Sequence, residues 1–195
     1  MILPVIAYGD PVLRKVGVEI DKDYPNLSEL IENMKETMYN AQGVGLAAPQ
    51  IGKAIRLFIV DTSPFAEDPD LNEEEQNFLA GYKKVFINAK IIKEEGDEWP
   101  FTEGCLSIPD IREDVFRQEK VTIEYFDENF EKQTDVIDGL VARVVQHEYD
   151  HIEGILFTDL ISSLKKRLIK KKLENISKGK VNADYRMKFP SLKRN

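Results

Sequence analysis

Both histidines of the chain lie in one short stretch, His147-Glu148-Tyr149-Asp150-His151. On an α-helix, residues four apart share one face, so both imidazoles could point at a common metal ion. Glu148 would then lie beside them as a general base. A helix is supported by the apolar stripe that precedes the motif at helical spacing, which consists of Leu140, Val141, Val144 and Val145. Because buried polar groups are costly unless they are coordinated or hydrogen-bonded, the pattern favours a metal site over a satisfied polar cluster.

Two histidines leave a catalytic site of the zinc type one protein ligand short. The chain has no third histidine, which excludes sites of the metzincin kind. The remaining candidates are a carboxylate or Cys105, the only cysteine. Cys105 lies in a predicted extended segment that Gly104 and Pro109 bracket. A lone cysteine is often just a small buried hydrophobic residue, so the residues alone do not decide whether Cys105 or a carboxylate is the third ligand.

A third segment, Gly43-Val44-Gly45-Leu46-Ala47-Ala48-Pro49-Gln50, is small and mostly apolar, with a single amide side chain. It is not a phosphate-binding loop, because it lacks the Gly-Lys-Ser/Thr ending. It is either a turn packed closely against another element, with Gln50 solvated, or a backbone that approaches a ligand to which Gln50 donates.

Taken together, these segments resemble the peptide deformylases. That family is marked by the motifs GφGφAAxQ, EGCφS and HExxH, and this chain has all three in the same order, the second as Glu103-Gly104-Cys105-Leu106-Ser107. The resemblance covers about residues 2–172 and departs from the family in an acidic stretch, 64–81, and in the tail after Leu173. It implies an α+β fold with antiparallel sheets around a central helix that bears HExxH, followed by a C-terminal helix. Long helices mixed with short strands favour the same class.

The resemblance further implies removal of the formyl group from N-formylmethionine of newly made polypeptides, with release of formate. The metal ligands it implies are Cys105, His147 and His151, with a water in the fourth position. The family commonly uses Fe²⁺, and Zn²⁺, Ni²⁺ or Co²⁺ are alternatives because such donors suit several ions.

The same resemblance assigns roles around the metal. Glu148 accepts and returns a proton, while the Gln50 amide and the Leu106 backbone N–H donate to the developing oxyanion. Gly45 is implied to pair with the substrate backbone. Our candidates for the methionine pocket are Val44, Leu140 and Val144, of which the last two could instead be core residues.

Charge is unevenly distributed along the chain, whose formal net charge is −8. Residues 165–195 carry 12 basic and 2 acidic side chains, a formal charge of +10, and the rest of the chain carries −18. We therefore expect a single catalytic domain, 1–173, and a basic C-terminal tail, 174–195. The tail region is either a solvated helix that packs Leu164, Leu168 and Leu173 on the body or a docking element for ribosomal RNA.

Local patterns predict the remaining elements. They are a helix over 27–41 capped by Asn26, strands over 55–61 and 85–92, a solvated loop over 64–81, a hairpin of 121–125 with 130–137, a helix opened by Asp138-Gly139, and a helix from Ser162 or Ser163 to about Ser177.

Composition limits where the protein acts. No apolar run approaches the roughly 18 residues that a membrane-spanning helix needs, and the N-terminal residues lack the basic region of a signal peptide. One cysteine cannot form an internal disulfide, which favours a reducing cytosol. We therefore expect a cytoplasmic protein with no membrane partner.

Two other functions compete with deformylation. A metallopeptidase of another kind would take a downstream carboxylate as its third ligand, but Glu153 is too near in sequence to serve from the same helix face. A ribosome-binding protein with a structural metal would have no use for Glu148 as a base. Release of formate from a formyl-methionyl peptide would separate the three.

Overall fold

The computed structural model describes residues 1–190, and two β-sheets organise them. The strands are β1 (Val5–Ile6), β2 (Gly45–Ala47), β3 (Leu57–Asp61), β4 (Lys83–Cys105), β5 (Ile108–Phe126), β6 (Lys132–Asp138) and β7 (Met187–Lys188). Strands β2 to β6 form a five-stranded antiparallel sheet in sequential order, and β1 pairs with β7 in parallel. The mixed helix and antiparallel-sheet fold is confirmed. The expectation that all sheets are antiparallel was wrong for the terminal pair, where the two chain ends run in the same direction.

Five α-helices accompany the strands in this part of the chain. They are α1 (Leu27–Asn40), α2 (Glu73–Gly81), α3 (Gly139–Ile152), α4 (Phe157–Leu160) and α5 (Ser163–Ser177). Short 3₁₀ turns occur at Pro11–Arg14, Ala48–Ile51 and Ser63–Glu67. None of the helices in residues 1–190 has the length and apolarity needed to cross a bilayer. The predicted helices at 27–41, from Asp138-Gly139 and from Ser162 to Ser177 are confirmed, as are the strand at 55–61 and the β5–β6 hairpin.

The strand β3 lies between two helical layers and is buried along its whole length. Phe58 and Val60 pack in one cluster with the apolar residues of α3. Leu57 and Ile59 point the other way, into a cluster with the apolar face of α1. This alternation follows from the two-residue period of a strand. It places α3 firmly against the sheet, where it also contacts β2, β5 and β6.

The acidic stretch is not a loop, contrary to the sequence prediction. After the 3₁₀ turn the chain forms α2, which Asn72 and Glu75 open with a reciprocal capping box. Acidic side chains in a first turn also interact favourably with the helix dipole. Leu79, near the end of α2, is buried in the core. The run of acids therefore includes the first turn of a helix, and Leu79 anchors that helix to the core.

Two details of helix packing also differ from the predictions. Asn26 adopts a left-handed conformation (φ 55°) and makes no side-chain capping bond, because a capping side chain needs an extended backbone. On α5 the buried stripe is Ile169, Leu173 and Ile176. Leu164 and Leu168, which one of the two alternatives for this helix packs on the body, are 58% and 71% exposed because they lie on a different face.

Candidate active site

Helix α3 buries the polar residues of the HExxH motif. Glu148 is 4% exposed and His151 1%, while the His147 side chain is 11% exposed. The two imidazole centroids are 5.1 Å apart, with ring planes at 80° to each other. The apolar residues before the motif are buried in the core, which fixes the rotation of the helix and directs the three polar side chains inward.

Cys105 reaches the same point from the β4–β5 hairpin. It is the last residue of β4, pairs with Ile108 at the start of β5, and is separated from it by the two-residue turn Leu106–Ser107. The ligand atoms of Cys105, His147 and His151 all lie within 4.8 Å of one another. The distance from Cys105 Sγ to His151 Nε2 is 3.3 Å. Sulfur and nitrogen donors on one tetrahedral ion at ordinary bond lengths lie about 3.5 Å apart, so the set fits a metal ion.

Glu103 orients the first histidine. Its carboxylate lies 2.8 Å from His147 Nδ1, which leaves Nε2 to face the other two donors. Arg117 donates to both oxygens of Glu103 and also to Asp150, and Arg143 donates to Glu103 as well. Burial alone would raise the pKa of Glu103, but the hydrogen bonds from His147 and Arg117 outweigh it and hold this pKa well below its usual range. The carboxylate is therefore charged and its position is fixed.

Glu148 differs from Glu103 in its hydrogen bonding and in its pKa. Its Oε2 is buried and has no hydrogen-bond partner among the described residues. Its side chain lies against Gly45, where an added Cβ would come within 2.7 Å of Glu148 Cγ and Cδ. Burial raises the pKa of Glu148 to about 7. A carboxylate with an unused oxygen and a pKa near neutrality is suited to accepting and returning a proton.

The Gln50 amide has one defined orientation. Its Oε1 accepts a hydrogen bond from Ala47 N–H at 2.8 Å, so Nε2 is directed at Cys105 Sγ, 3.4 Å away. The side chain is only 1% exposed. Its amide donor therefore faces the candidate metal ligands, which argues against the alternative of a solvated Gln50.

A cavity of about 580 Å³ connects these residues. Nine of the ten candidate site residues from the sequence analysis lie at this cavity. Eight line it, namely Val44, Gly45, Gln50, Cys105, Leu106, Val144, His147 and Glu148. The ninth is His151, whose Nε2 is 3.3 Å from Cys105 Sγ. Leu140 is not among the described lining residues and instead packs, half-buried, on the core.

Comparison with known proteins identifies the family. The family model described as polypeptide deformylase matches residues 2–167. The chain belongs to this family. The peptide deformylase of Flavobacterium johnsoniae is 67% identical over 194 residues, covering 100% of this chain and 99% of the relative. The crystal structure of a peptide deformylase from Legionella pneumophila is 35% identical with a TM-score of 0.76, covering 91% of this chain and 96% of that one. The crystal structure of the peptide deformylase from Thermotoga maritima is 34% identical with a TM-score of 0.72, covering 83% of this chain and 99% of that one.

Membership gives the chain the activity of the deformylases, the metal-dependent removal of N-formyl groups from nascent peptides. Sequence reasoning missed two parts of the site. It quoted Glu103 as part of a motif but gave it no role, although an acid two residues before a candidate ligand was a usable signal. It also missed the wall formed by residues 182–185, for which the sequence offers no signal beyond a tyrosine in a basic tail.

Proposed function

We propose that Cys105, His147 and His151 hold the catalytic metal ion of this deformylase. The observation that carries the proposal is the convergence of these three donors, beside the unpaired oxygen of Glu148, at one cavity. When bound, the ion supplies Lewis acidity and makes water a stronger nucleophile at neutral pH. Two imidazoles and a thiolate suit several ions, and we propose Fe²⁺, with Zn²⁺, Ni²⁺ and Co²⁺ as alternatives.

We propose Glu148 as the residue that moves the proton. It takes a proton from the attacking water as the oxygen adds to the formyl carbon, and it returns a proton to the leaving amine as the C–N bond breaks. The products are formate and a free methionine amino group. Its unpaired Oε2 is available for this transfer without breaking an existing hydrogen bond.

Two donors of this chain stabilise the oxyanion in this proposal. They are Nε2 of Gln50, held in place through Ala47, and the backbone N–H of Leu106 in the turn after Cys105. Gln50 is held by its bond to Ala47, and Leu106 lies in a turn closed by the pairing of Cys105 with Ile108, so both donors are in position before charge develops on the formyl oxygen.

We propose that Gly45 binds the peptide main chain. Strand β2 is an edge strand of the five-stranded sheet. Asp61 N–H donates to Val44 C=O at 2.9 Å, and Gly45 is opposite Val60. In an antiparallel ladder the hydrogen-bonding residues alternate, so the N–H and C=O of Gly45 point to the free edge. We propose that the substrate adds there as an extended strand. Val44 and Val144 supply an apolar wall for the methionine side chain.

A direct test is release of formate from an N-formyl-methionyl tripeptide by the metal-loaded chain. The matched control is the same peptide with an N-acetyl group, which should react far more slowly because the added methyl group makes the carbonyl carbon less electrophilic and harder to attack. Formate release with the internal peptide bonds intact supports the proposal. Cleavage of an internal peptide bond, or no formate at all, contradicts it.

Gln50→Leu is expected to lower kcat by about 10²–10³ and to change KM less, since an oxyanion donor acts mainly in the transition state. Steady-state kinetics on the formyl-methionyl tripeptide measure both constants. Gln76→Leu, at a half-buried position of α2 outside the cavity lining, is the control and should behave as the parent in both constants. A rise in KM with kcat unchanged would show that Gln50 only binds the ground state.

We also propose that the protein works in the cytoplasm, with the basic face of α5 binding ribosomal RNA. Catalytic domain 1–173 and tail 174–195 would then act together, since α5 runs through this boundary and Ile176 is buried. The last five residues of the tail, 191–195, lie outside the described part of the chain. Lys165 pairs with Glu113, and Lys166 donates to the Asp159 carbonyl.

Four further basic residues of α5, Arg167, Lys170, Lys171 and Lys172, are exposed and have no ion-pair partner within residues 1–190. Changing these four to glutamine is expected to weaken co-sedimentation with ribosomes at low salt and to flatten its salt dependence, because fewer phosphate contacts release fewer counterions. Activity on the tripeptide should persist. The charge-matched control changes Lys15, Lys22, Lys53 and Lys120 to glutamine. Equal sedimentation of the two variants would leave α5 as a solvated helix.

A further inference from the structure

The C-terminal segment returns to the active site after α5. Four consecutive residues, Asn182, Ala183, Asp184 and Tyr185, line the same cavity as the candidate metal ligands. This segment lies beyond residues 2–167, the part of the chain that the family model matches. The segment remains packed on the protein past the cavity, since Met187 and Phe189 are partly buried against the apolar cluster that includes Ile108.

The segment contacts the turn that carries a proposed oxyanion donor. The Tyr185 hydroxyl donates a hydrogen bond of 2.7 Å to the carbonyl oxygen of Leu106. The neighbouring carbonyl, that of Ser107, accepts from Tyr8 N–H at 2.8 Å. Both carbonyls of this two-residue turn are therefore held from outside the β4–β5 hairpin, one by each end of the chain.

The two ends of the chain also hold each other. Val5 N–H donates to Arg186 C=O and Ala7 N–H donates to Lys188 C=O, both at 2.9 Å. The residues that form these bonds come directly after Tyr185 in the C-terminal segment and directly before Tyr8 in the N-terminal segment. The Tyr185 hydroxyl therefore extends from backbone that is itself fixed.

We infer that Tyr185 is a positioning residue for deformylation, acting through the backbone of Leu106. The N–H and C=O of Leu106 belong to two peptide planes that meet at its Cα. A hydrogen bond that holds the carbonyl limits rotation about the Leu106 backbone bonds, and this keeps the turn, with the Leu106 N–H, in one conformation. Oxyanion donors are effective because they are aligned before charge develops, so a donor free to rotate loses part of its effect. The inference rests on the proposed role of the Leu106 N–H, and it gives the C-terminal segment a part in the catalytic cycle.

The test compares Tyr185→Phe with Tyr82→Phe in the full-length, metal-loaded chain. Tyr82 is the matched control because its buried hydroxyl makes no hydrogen bond within the described residues and lies outside the cavity lining. For Tyr185→Phe we expect kcat to fall about three- to tenfold, the worth of one ordinary hydrogen bond, with KM and metal content unchanged. Backbone amide exchange at residues 105–107 should accelerate while exchange in α1 stays constant. Tyr82→Phe should change neither kcat nor exchange at the turn.

Amide exchange separates this inference from the proposed function. Unchanged exchange at residues 105–107, or a change in KM with kcat retained, would overturn the positioning role of Tyr185 even in an active enzyme. Faster exchange at the turn together with a lower kcat would support it. If the parent chain released no formate, the proposed function would fail by its own assay and the catalytic part of this inference would fail with it, whatever the exchange data.

Discussion

Glu148→Ala is expected to keep its metal and to lose formate release by a factor of about 10²–10⁴, the usual contribution of a positioned general acid–base group. The carboxylate is buried, its Oε2 has no hydrogen-bond partner among the described residues, and the proposed metal ligands are Cys105, His147 and His151. Removing it should therefore take away proton transfer while leaving the ligand set intact. Metal analysis and steady-state kinetics on the same purified sample measure the two effects separately.

Glu148→Gln is the shape-matched companion to this variant. The amide fills the same space against Gly45 but cannot accept a proton, so both variants should lose activity to a similar extent. Retention of turnover within tenfold of the parent in either variant would mean that another group transfers the proton. Loss of metal in both would instead place Glu148 among the ligands.

The helix at the centre of the site could be predicted because its signals are local. The apolar spacing before His147 and the His-Glu-x-x-His pattern lie within a few turns of one helix, where periodicity alone determines which side chains share a face. Cys105 was different. The residues left it as one of two alternatives, because its approach to α3 depends on the pairing of β4 with β5, and only family resemblance favoured it.

Other parts of the molecule were beyond sequence reasoning for the same physical reason. The contact between Tyr185 and Leu106 joins segments that are 79 positions apart, and no periodicity encodes such a meeting. The acidic residues of α2 were misread because charge favours both solvated loops and the first turns of helices. Asn26 was misread because capping depends on its own backbone conformation, which the residue type does not determine.

Cys105→Ser is expected to cause the largest loss, because it removes a proposed metal ligand. A serine hydroxyl is a harder and weaker ligand than a thiolate and stays protonated near neutral pH. Loss of an outer partner of a ligand already costs about 10–100-fold in metal affinity, so loss of a direct ligand should cost more than about 100-fold. Purified Cys105→Ser should therefore contain little metal and release no measurable formate.

The design must separate loss of metal from damage to the turn. Ser107→Ala is the matched control, since it changes one atom of the same turn and removes a buried hydroxyl without a hydrogen-bond partner among the described residues. It should retain metal and most of its activity. Thermal unfolding of the metal-free proteins should be similar for both variants, because serine is close to cysteine in size and Cys105 is only partly buried against the apolar cluster around Ile108. Full metal occupancy with unchanged affinity in Cys105→Ser would remove Cys105 from the site and return the third ligand to a carboxylate.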